Sequence, residues 1–254
     1  MSDQESSGRV IIPKFEYPSS DGEPMADGDA NATRMIHTWS ALKVEIRDLG
    51  VVAYVSVYLF VYPVEGEPWT RNAPDVLVAP GCAQAIRESF MYWREPATVQ
   101  FAGEFLWVKR RETFESEEIQ ERIEFYRTKL ATRELFIYEP AGTSLEAGFR
   151  FHFLRLGARG LYEEVRPGTG GWYISDVLGL EFRPADSWIR LRHPTSGKEY
   201  LPAEIRAAQD AERAARESER AARESERADR EAERARGLEA EIERLRKLAG
   251  DRPD

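Results

Sequence analysis

Residues 51–64 read VVAYVSVYLFVYPV and decide the fold class that this sequence predicts. The run alternates between two sets of side chains, and both sets are almost entirely apolar or aromatic. Such a pattern is typical of a strand that is buried on both faces of a sheet. The run is also too short to cross a bilayer as a helix. The stretch therefore predicts a covered sheet with further layers packed on it.

Two amphipathic helices are predicted around this strand. The first has an apolar stripe that ends before Gly50, because glycine commonly follows the last turn of a helix. The second covers residues 115–130 and begins with acidic residues, which favour a helix N-terminus. The stripes consist of Met35, Trp39, Leu42, Ile46 and Leu49 in the first helix and Ile119, Ile123, Tyr126 and Leu130 in the second.

Shorter apolar runs predict the remaining strands. Residues 76–78, 98–108 and 135–138 each fit one strand, and residues 149–201 fit antiparallel strands around the turn sequence PTSG at 194–197. The order of these elements predicts an α/β fold, a mixed sheet with helices packed on it. No glycine-rich loop follows a strand, so a dinucleotide-binding fold is not indicated.

Composition limits the class of protein. The chain has 254 residues, 42% hydrophobic, which is enough to bury one good-sized core. Its net charge of -9 argues against a broad basic surface for duplex DNA, although many of the charges lie near the C-terminus. The first ten residues are acidic and polar, unlike a signal peptide, and the single cysteine, Cys82, suits a reducing compartment. We therefore expect a cytoplasmic protein without a membrane span.

Three segments are predicted along the chain. Residues 1–34 are rich in Ser, Asp, Gly and Pro and indicate a mobile N-terminal arm. Residues 35–201 form the α/β domain, and residues 202–250 form a charged helical tail. The tail repeats the sequence ERAARES at 212–218 and 219–225, which places Glu four residues before Arg and favours a helix.

The tail allows two interpretations. It is either a solvated helix with a weak association patch near its end, or a coiled coil through which the chain forms a homo-oligomer. The coiled-coil seam would consist of alanines, which bury only methyl groups, and the end patch would consist of larger side chains. These residues are Ala214, Ala221, Ala228 and Ala235 for the seam and Leu238, Ile242, Leu245 and Leu248 for the patch.

The side chains that could do chemistry are mainly carboxylates. His37, His152 and His193 have no metal-ligand spacing, and no serine nucleophile motif is present. Asp75 follows Pro74 at the start of a strand, and Glu104 lies on the next strand. Two such acids could bind a hard cation such as Mg²⁺.

Lys109 and Arg122 are the candidate cations that would stabilise charge on a phosphate near these acids. The alternative interpretation is that Pro74 and Asp75 form an ordinary turn and that the other three charges are solvated. Spacing alone favours this alternative interpretation.

The ordered segments of the chain resemble one family. Residues 73–78, APDVLV, together with residues 59–68, LFVYPVEGEP, are similar to the Uma family of restriction endonucleases, a bacterial group in the PD-(D/E)XK nuclease superfamily. The likeness covers nearly the whole chain and includes a charged Ala/Glu/Arg tail. The other matching segments are FEYPSSDGEPMA at 15–26, YW at 92–93, EFY at 124–126, ELFIYEP at 134–140 and GLEF at 179–182.

The resemblance implies a PD-(D/E)XK core and Mg²⁺- or Mn²⁺-dependent hydrolysis of DNA. Asp75 matches the Pro-Asp motif and is implied to be catalytic and a metal ligand. The second acid falls on Ala102 in a tight alignment and on Glu104 after a slide of two residues. The lysine that the family carries on its next helix falls on Arg122.

Two functions follow from this comparison with the family. One is an active endonuclease that uses Asp75, Glu104 and either Lys109 or Arg122, with Mg²⁺ or Mn²⁺ held by the two acids. The other is a catalytically degenerate nuclease-fold domain that binds DNA or assembles through its helical tail. Whether the chain is an enzyme stays open at this stage.

Overall fold

The structure is a computed structural model that describes residues 15–20, 22, 26, 28–144, 146–185 and 188–250, without the side chains of residues 204 and 246–250. The chain forms two compact units, Met1–Pro202 and Ala203–Asp254. The division falls beside the predicted boundary between the α/β domain and the tail. Each unit is described by itself below.

The first helix, α1, spans Asp29–Asp48. It ends in a Schellman motif: the Gly50 N–H bonds to the Arg47 carbonyl, and the Val51 N–H bonds to the Ile46 carbonyl. Gly50 has a φ of 68°, a left-handed conformation that glycine adopts without strain. The predicted stop is therefore confirmed.

The predicted N-terminal arm, residues 1–34, is too long. Its last six residues, from Asp29 onward, are already helical. Tyr17 also packs on the domain, where its ring meets the Tyr62 ring and its hydroxyl accepts the Gly66 N–H. Residues 1–14 lie outside the described part of the chain.

The prediction of one strand over residues 51–64 is wrong. The segment contains β1, Ala53–Ser56, and β2, Val61–Tyr62, with a break between them. Tyr58 adopts a left-handed φ of 47° in this break, and its N–H bonds to the Pro74 carbonyl. The chain therefore leaves the main sheet after β1, and β2 pairs in parallel with β4, Phe90–Met91, in a separate two-stranded sheet.

The main sheet is mixed, as predicted. Its strands also include β3, Val76–Pro80; β5, Phe101–Phe105; β6, Glu134–Pro140; β7, Phe149–Leu156; and β8, Tyr162–Glu164. The order is β1-β3-β5-β6-β7-β8, and only β5 and β6 are parallel neighbours. Their crossover contains α2, Glu117–Phe125, which continues as a π-helical turn over Tyr126–Leu130. Short 3₁₀ turns cover Tyr92–Arg94, Val108–Arg110 and Thr169–Gly171.

A four-stranded antiparallel sheet completes the unit. It has the order β12-β11-β10-β9, and its strands are β9, Tyr173–Ser175; β10, Leu180–Pro184; β11, Ile189–Arg192; and β12, Glu199–Tyr200. The antiparallel strands predicted within residues 149–201 are therefore confirmed. This sheet and α1 pack on one face of the main sheet, and α2 packs on the other. The central strands β3, β5 and β6 are thus buried on both faces.

The second unit is one helix, α3, Ala203–Gly250. Glu-to-Arg ion pairs four residues apart run along it, from Glu212 to Arg216, from Glu219 to Arg223 and from Glu226 to Arg230. All are exposed, so each adds only a few tenths of a kcal/mol to helix stability. None of the described helices combines the length and the apolarity that crossing a bilayer requires.

A buried acid on α1 makes stability depend on pH. Glu45 has no exposed surface, and its burial raises its pKa from 4.5 to about 7. The folded state therefore holds this proton more tightly than the unfolded state, so stability falls as the pH rises from about 4.5 through 7. We expect Glu45→Gln to stabilise the protein by about 1–3 kcal/mol at pH 8 and to change little at pH 4.5. Urea denaturation at both pH values tests this, with exposed Glu88→Gln as the control; equal effects at both pH values would contradict it.

Candidate active site

Asp75 and Glu104 meet at the start of β3. The antiparallel register of β3 and β5 pairs Val76 with Gly103, and one further step places Asp75 opposite Glu104. Side chains directly opposite each other on antiparallel strands point to the same face. Asp75 is 4% exposed and Glu104 is 3% exposed, on the sheet face that α2 covers. The Phe105 N–H donates a hydrogen bond of 2.7 Å to Asp75 Oδ2.

The helix α2 brings a cation and a hydroxyl to the same place. Arg122 and Tyr126 are four residues apart and so lie on one side of the helical turn. Arg122 Nη1 donates to Glu104 Oε2 at 3.1 Å, and the Tyr126 hydroxyl donates to Glu104 Oε1. Arg122 Nη2 also lies 3.6 Å from Glu112 Oε1 and 3.3 Å from Glu118 Oε1. Both oxygens of Glu104 are therefore held by partners from the crossover.

Burial sets the protonation of the two acids. It raises the pKa of Asp75 well above its usual range, and the nearby Glu104 carboxylate raises it further. Burial also raises the pKa of Glu104, but Arg122 and the Tyr126 hydroxyl oppose that change by stabilising the anion. The pair therefore keeps a proton to higher pH than an isolated carboxyl group would, and Glu104 is the acid whose anion is bonded to arginine. Coupled buried acids of this kind are common at catalytic sites.

A cleft of about 250 Å³ opens over these groups. Three arginines and three acids line it, so the formal charges of its lining balance. The Arg71 guanidinium lies 4.9 Å from the centre of the Phe60 ring, and the Arg110 guanidinium lies 4.1 Å from the centre of the Trp107 ring. Such cation–aromatic pairs present positive charge and flat apolar surface together, which suits a phosphate joined to a base.

The structure brings together three of the four predicted site residues. Asp75, Glu104 and Arg122 line one cleft. Lys109 lines a different cavity, of about 220 Å³, next to Asn31 and Arg34. The 3₁₀ turn Val108–Arg110 is the reason, because it directs consecutive side chains to different cavities. Arg110, not Lys109, thus reaches the cleft of the acids.

Sequence reasoning missed four of the residues at this site. Tyr126 had a usable signal, its spacing of four residues from Arg122, but we predicted only a core position for it. Glu112 accepts the Trp107 N–H through Oε2 at 2.7 Å and places Oε1 near Arg122. The other two missed residues, Arg71 and Arg110, stand in loops or turns with no periodicity, so the sequence gives no local signal for them.

Asp75 and Glu104 have the right chemistry for a divalent ion, but in a particular form. Among the described residues, no group of three His, Cys, Asp or Glu side chains is placed to hold a metal. Mg²⁺ often uses only one or two carboxylates and completes its shell with water and substrate phosphate. The two buried acids fit that mode once Asp75 has lost its proton, and they do not fit an ion held by protein alone.

Comparisons with protein-family models, curated proteins and solved structures find no match to this chain. The fold and the site thus define a class at a general level. The chain has a mixed α/β unit with a buried pair of carboxyl groups beneath an arginine-lined cleft, followed by a long charged helix.

Proposed function

We propose that the α/β unit is an endonuclease domain of the PD-(D/E)XK type that hydrolyses phosphodiester bonds of DNA. The observation that carries this proposal is the pairing of Asp75 with Glu104 across β3 and β5, with Arg122 bonded to the second acid. Resemblance of the sequence to the Uma family implies the same three positions. The second acid of the family aligns with Ala102 or, after a slide of two residues, with Glu104. Glu104 lines the cleft and Ala102 does not, which supports the second alignment.

Each residue of the site would have a separate role in binding the phosphate and in hydrolysis. Arg71 and Arg110 line the cleft with positive charge that attracts a phosphate. Asp75 and Glu104 would hold Mg²⁺ or Mn²⁺, which when bound lowers the pKa of a water molecule and neutralises phosphate charge. Arg122 stabilises negative charge that develops on the phosphate oxygens and orients Glu104. Tyr126 fixes the other oxygen of Glu104 and so keeps the carboxylate in one rotamer.

A degenerate nuclease domain that binds DNA without cutting it is the second candidate. The ion pair between Arg122 and Glu104, at 3.1 Å, is the observation that favours it. A guanidinium bonded to Glu104 and close to Glu112 already balances much of the negative charge that would attract an ion. An arginine also binds carboxylates through a fork that a lysine lacks, so a metal has more to displace here.

Replacing Asp75 by asparagine tests the first proposal. Asp75→Asn can still accept the Phe105 N–H, so the strand should keep its shape. We expect wild-type protein to nick plasmid DNA with Mg²⁺ or Mn²⁺ and Asp75→Asn to lose about 100-fold or more in rate. Exposed Glu88→Gln should behave as wild type. Nicking that survives Asp75→Asn contradicts the assignment of Asp75.

Metal binding provides a second readout that does not need cleavage. Because Asp75 must lose its proton to bind a cation, we expect Mg²⁺ to bind more tightly at pH 8 than at pH 6 and to release a proton. Calorimetry in buffers of different ionisation enthalpy measures both effects. A different result would instead support the degenerate domain. In that case the wild-type protein binds DNA but neither binds Mg²⁺ nor nicks DNA, and Arg71→Ala or Arg110→Ala weakens DNA binding.

A further inference from the structure

The end of α3 carries an exposed apolar seam. Leu238, Ile242 and Leu245 are separated by four and three residues and therefore lie on one face of the helix. Their exposed fractions are 66%, 50% and 55%. We propose that this seam pairs with the same seam of a second copy of the chain, as a short parallel coiled coil. Leu248, which we also predicted in the patch, has a side chain outside the described set.

The residue types at the seam select a pair of parallel helices. In a heptad labelled a to g, Ala235 and Ile242 fall at a, and Leu238 and Leu245 fall at d. A β-branched residue at a with leucine at d favours two parallel strands, because each side chain then fits the space that the opposite helix offers. Alanine at 235 adds little buried area, so the pairing depends mainly on the three large side chains.

The charges beside the seam favour the parallel orientation. In a parallel pair, Arg234 at g lies against Glu239 at e of the second copy, and this attraction occurs twice. An antiparallel pair with the same overlap places Glu239 against Glu239 and Glu241 against Glu241 of the second copy, which repels. Charge pairs of this kind affect the orientation of the two helices in a coiled coil more than they affect its stability.

The rest of the helix limits how far the pairing extends. Glu217, Glu224 and Glu231 occupy successive d positions before the seam. In a parallel pair each of them would face its own copy across the interface, where like charges and lost hydration oppose contact. Pairing therefore begins after Glu231 and covers about two heptads, which makes the association weak and dependent on concentration.

Sedimentation equilibrium of the full-length chain tests this proposal. Between about 1 and 500 µM, we expect the mean mass to rise from one chain towards two. Leu245→Glu should stay monomeric throughout, whereas Ala240→Glu, which adds the same charge on the opposite side of the helix, should behave as wild type. Glu231→Leu adds one more apolar d position and should tighten association at least about tenfold. Single-chain mass for both wild type and Glu231→Leu, or dimers that persist in Leu245→Glu, would overturn the proposal.

Cysteine cross-linking tests the orientation. A parallel in-register pair brings position 235 of the two copies together, so Ala235→Cys should form a disulfide-linked dimer on mild oxidation. Glu233→Cys lies on the opposite side of the helix and is the matched control. The native Cys82 is fully buried and gives only a background. Cross-linking of Ala235→Cys no faster than that of Glu233→Cys would rule out the parallel arrangement.

Discussion

An Arg122→Ala variant should lose about 3–5 kcal/mol of the free energy of unfolding at pH 8, the largest effect that we expect from any charge in this protein. Arg122 pairs with Glu104 and Glu112, whose side chains are 4% and 3% exposed. Removing the guanidinium leaves two buried carboxylates close together without their cation. Loss of one partner of a buried pair costs more than the pair contributed, because the remaining charge has neither water nor an opposite charge.

Urea denaturation measures this loss and separates it from simple truncation of a side chain. Glu118→Ala removes the exposed partner of Arg122, 63% exposed, and should cost less than about 0.5 kcal/mol. Arg122→Lys keeps the charge but not the fork, so it should fall between the two. A double variant, Arg122→Met with Glu104→Gln, removes the cation and one of the two buried carboxylates, and it should recover part of the loss, because Glu112 remains unpaired. Similar values for Arg122→Ala and Glu118→Ala would show that the buried pairs contribute little.

The effect of Arg122→Ala should shrink as the pH falls. Burial raises the pKa of Glu104, and without Arg122 that pKa rises further, since the cation that stabilised the anion is gone. At lower pH the carboxyl then takes up a proton and no longer carries a buried charge. We therefore expect the difference from wild type to be smaller at pH 5 than at pH 8.

The cost of these acids bears on their role. Asp75 and Glu104 are buried on a sheet face otherwise formed by residues such as Leu77 and Ala102. Apolar side chains at these two positions would make the folded state more stable. A fold that keeps costly groups together in an open cleft is typical of a site selected for function. The arginine, the tyrosine and the Phe105 N–H reduce that cost without removing the acids from the cleft.

Periodic patterns in the sequence predicted the elements but not all of their bounds. Residues three and four apart form the stripes of α1 and α2 and the Glu-to-Arg pairs of α3. These features can therefore be recognised from a short stretch of sequence. The run 51–64 alternates without interruption in the sequence, yet the strand is interrupted at Tyr58 in the structure. The break depends on a hydrogen bond to Pro74, sixteen residues away, which no local pattern contains.

The site was predicted in the same uneven way. Asp75 and Glu104 could be paired because both lie on strands that were recognisable and adjacent. Lys109 was predicted at the site and Arg110 was not. Which of the two reaches the cleft depends on a short 3₁₀ turn after β5, where a shift of one residue exchanges the two cavities. Contacts from loops, such as that of Arg71, depend on tertiary packing alone.

A Gly103→Ala variant should be destabilised by about 3 kcal/mol or more, because the added methyl group has no space. Gly103 lies on β5 next to Glu104, and a Cβ atom there would be 1.9 Å from Cζ of Phe136. Phe136 is fully buried and packs against Phe101 and Phe105, so its ring cannot move aside without disturbing the core. Thermal and urea unfolding measure the loss.

Two further variants show whether the clash with Phe136 is the cause. Gly148→Ala adds a methyl group where no atom lies within 4 Å, and it should change stability by less than about 0.5 kcal/mol. Phe136→Leu should partly rescue Gly103→Ala, so that the two changes together cost less than their sum. Additive costs would place the strain elsewhere.

Because Glu104 is the next residue, a shift of β5 would also displace its carboxylate from Arg122 and Tyr126. Under the proposed function, Gly103→Ala should therefore also lower Mg²⁺ affinity under conditions in which the variant remains folded.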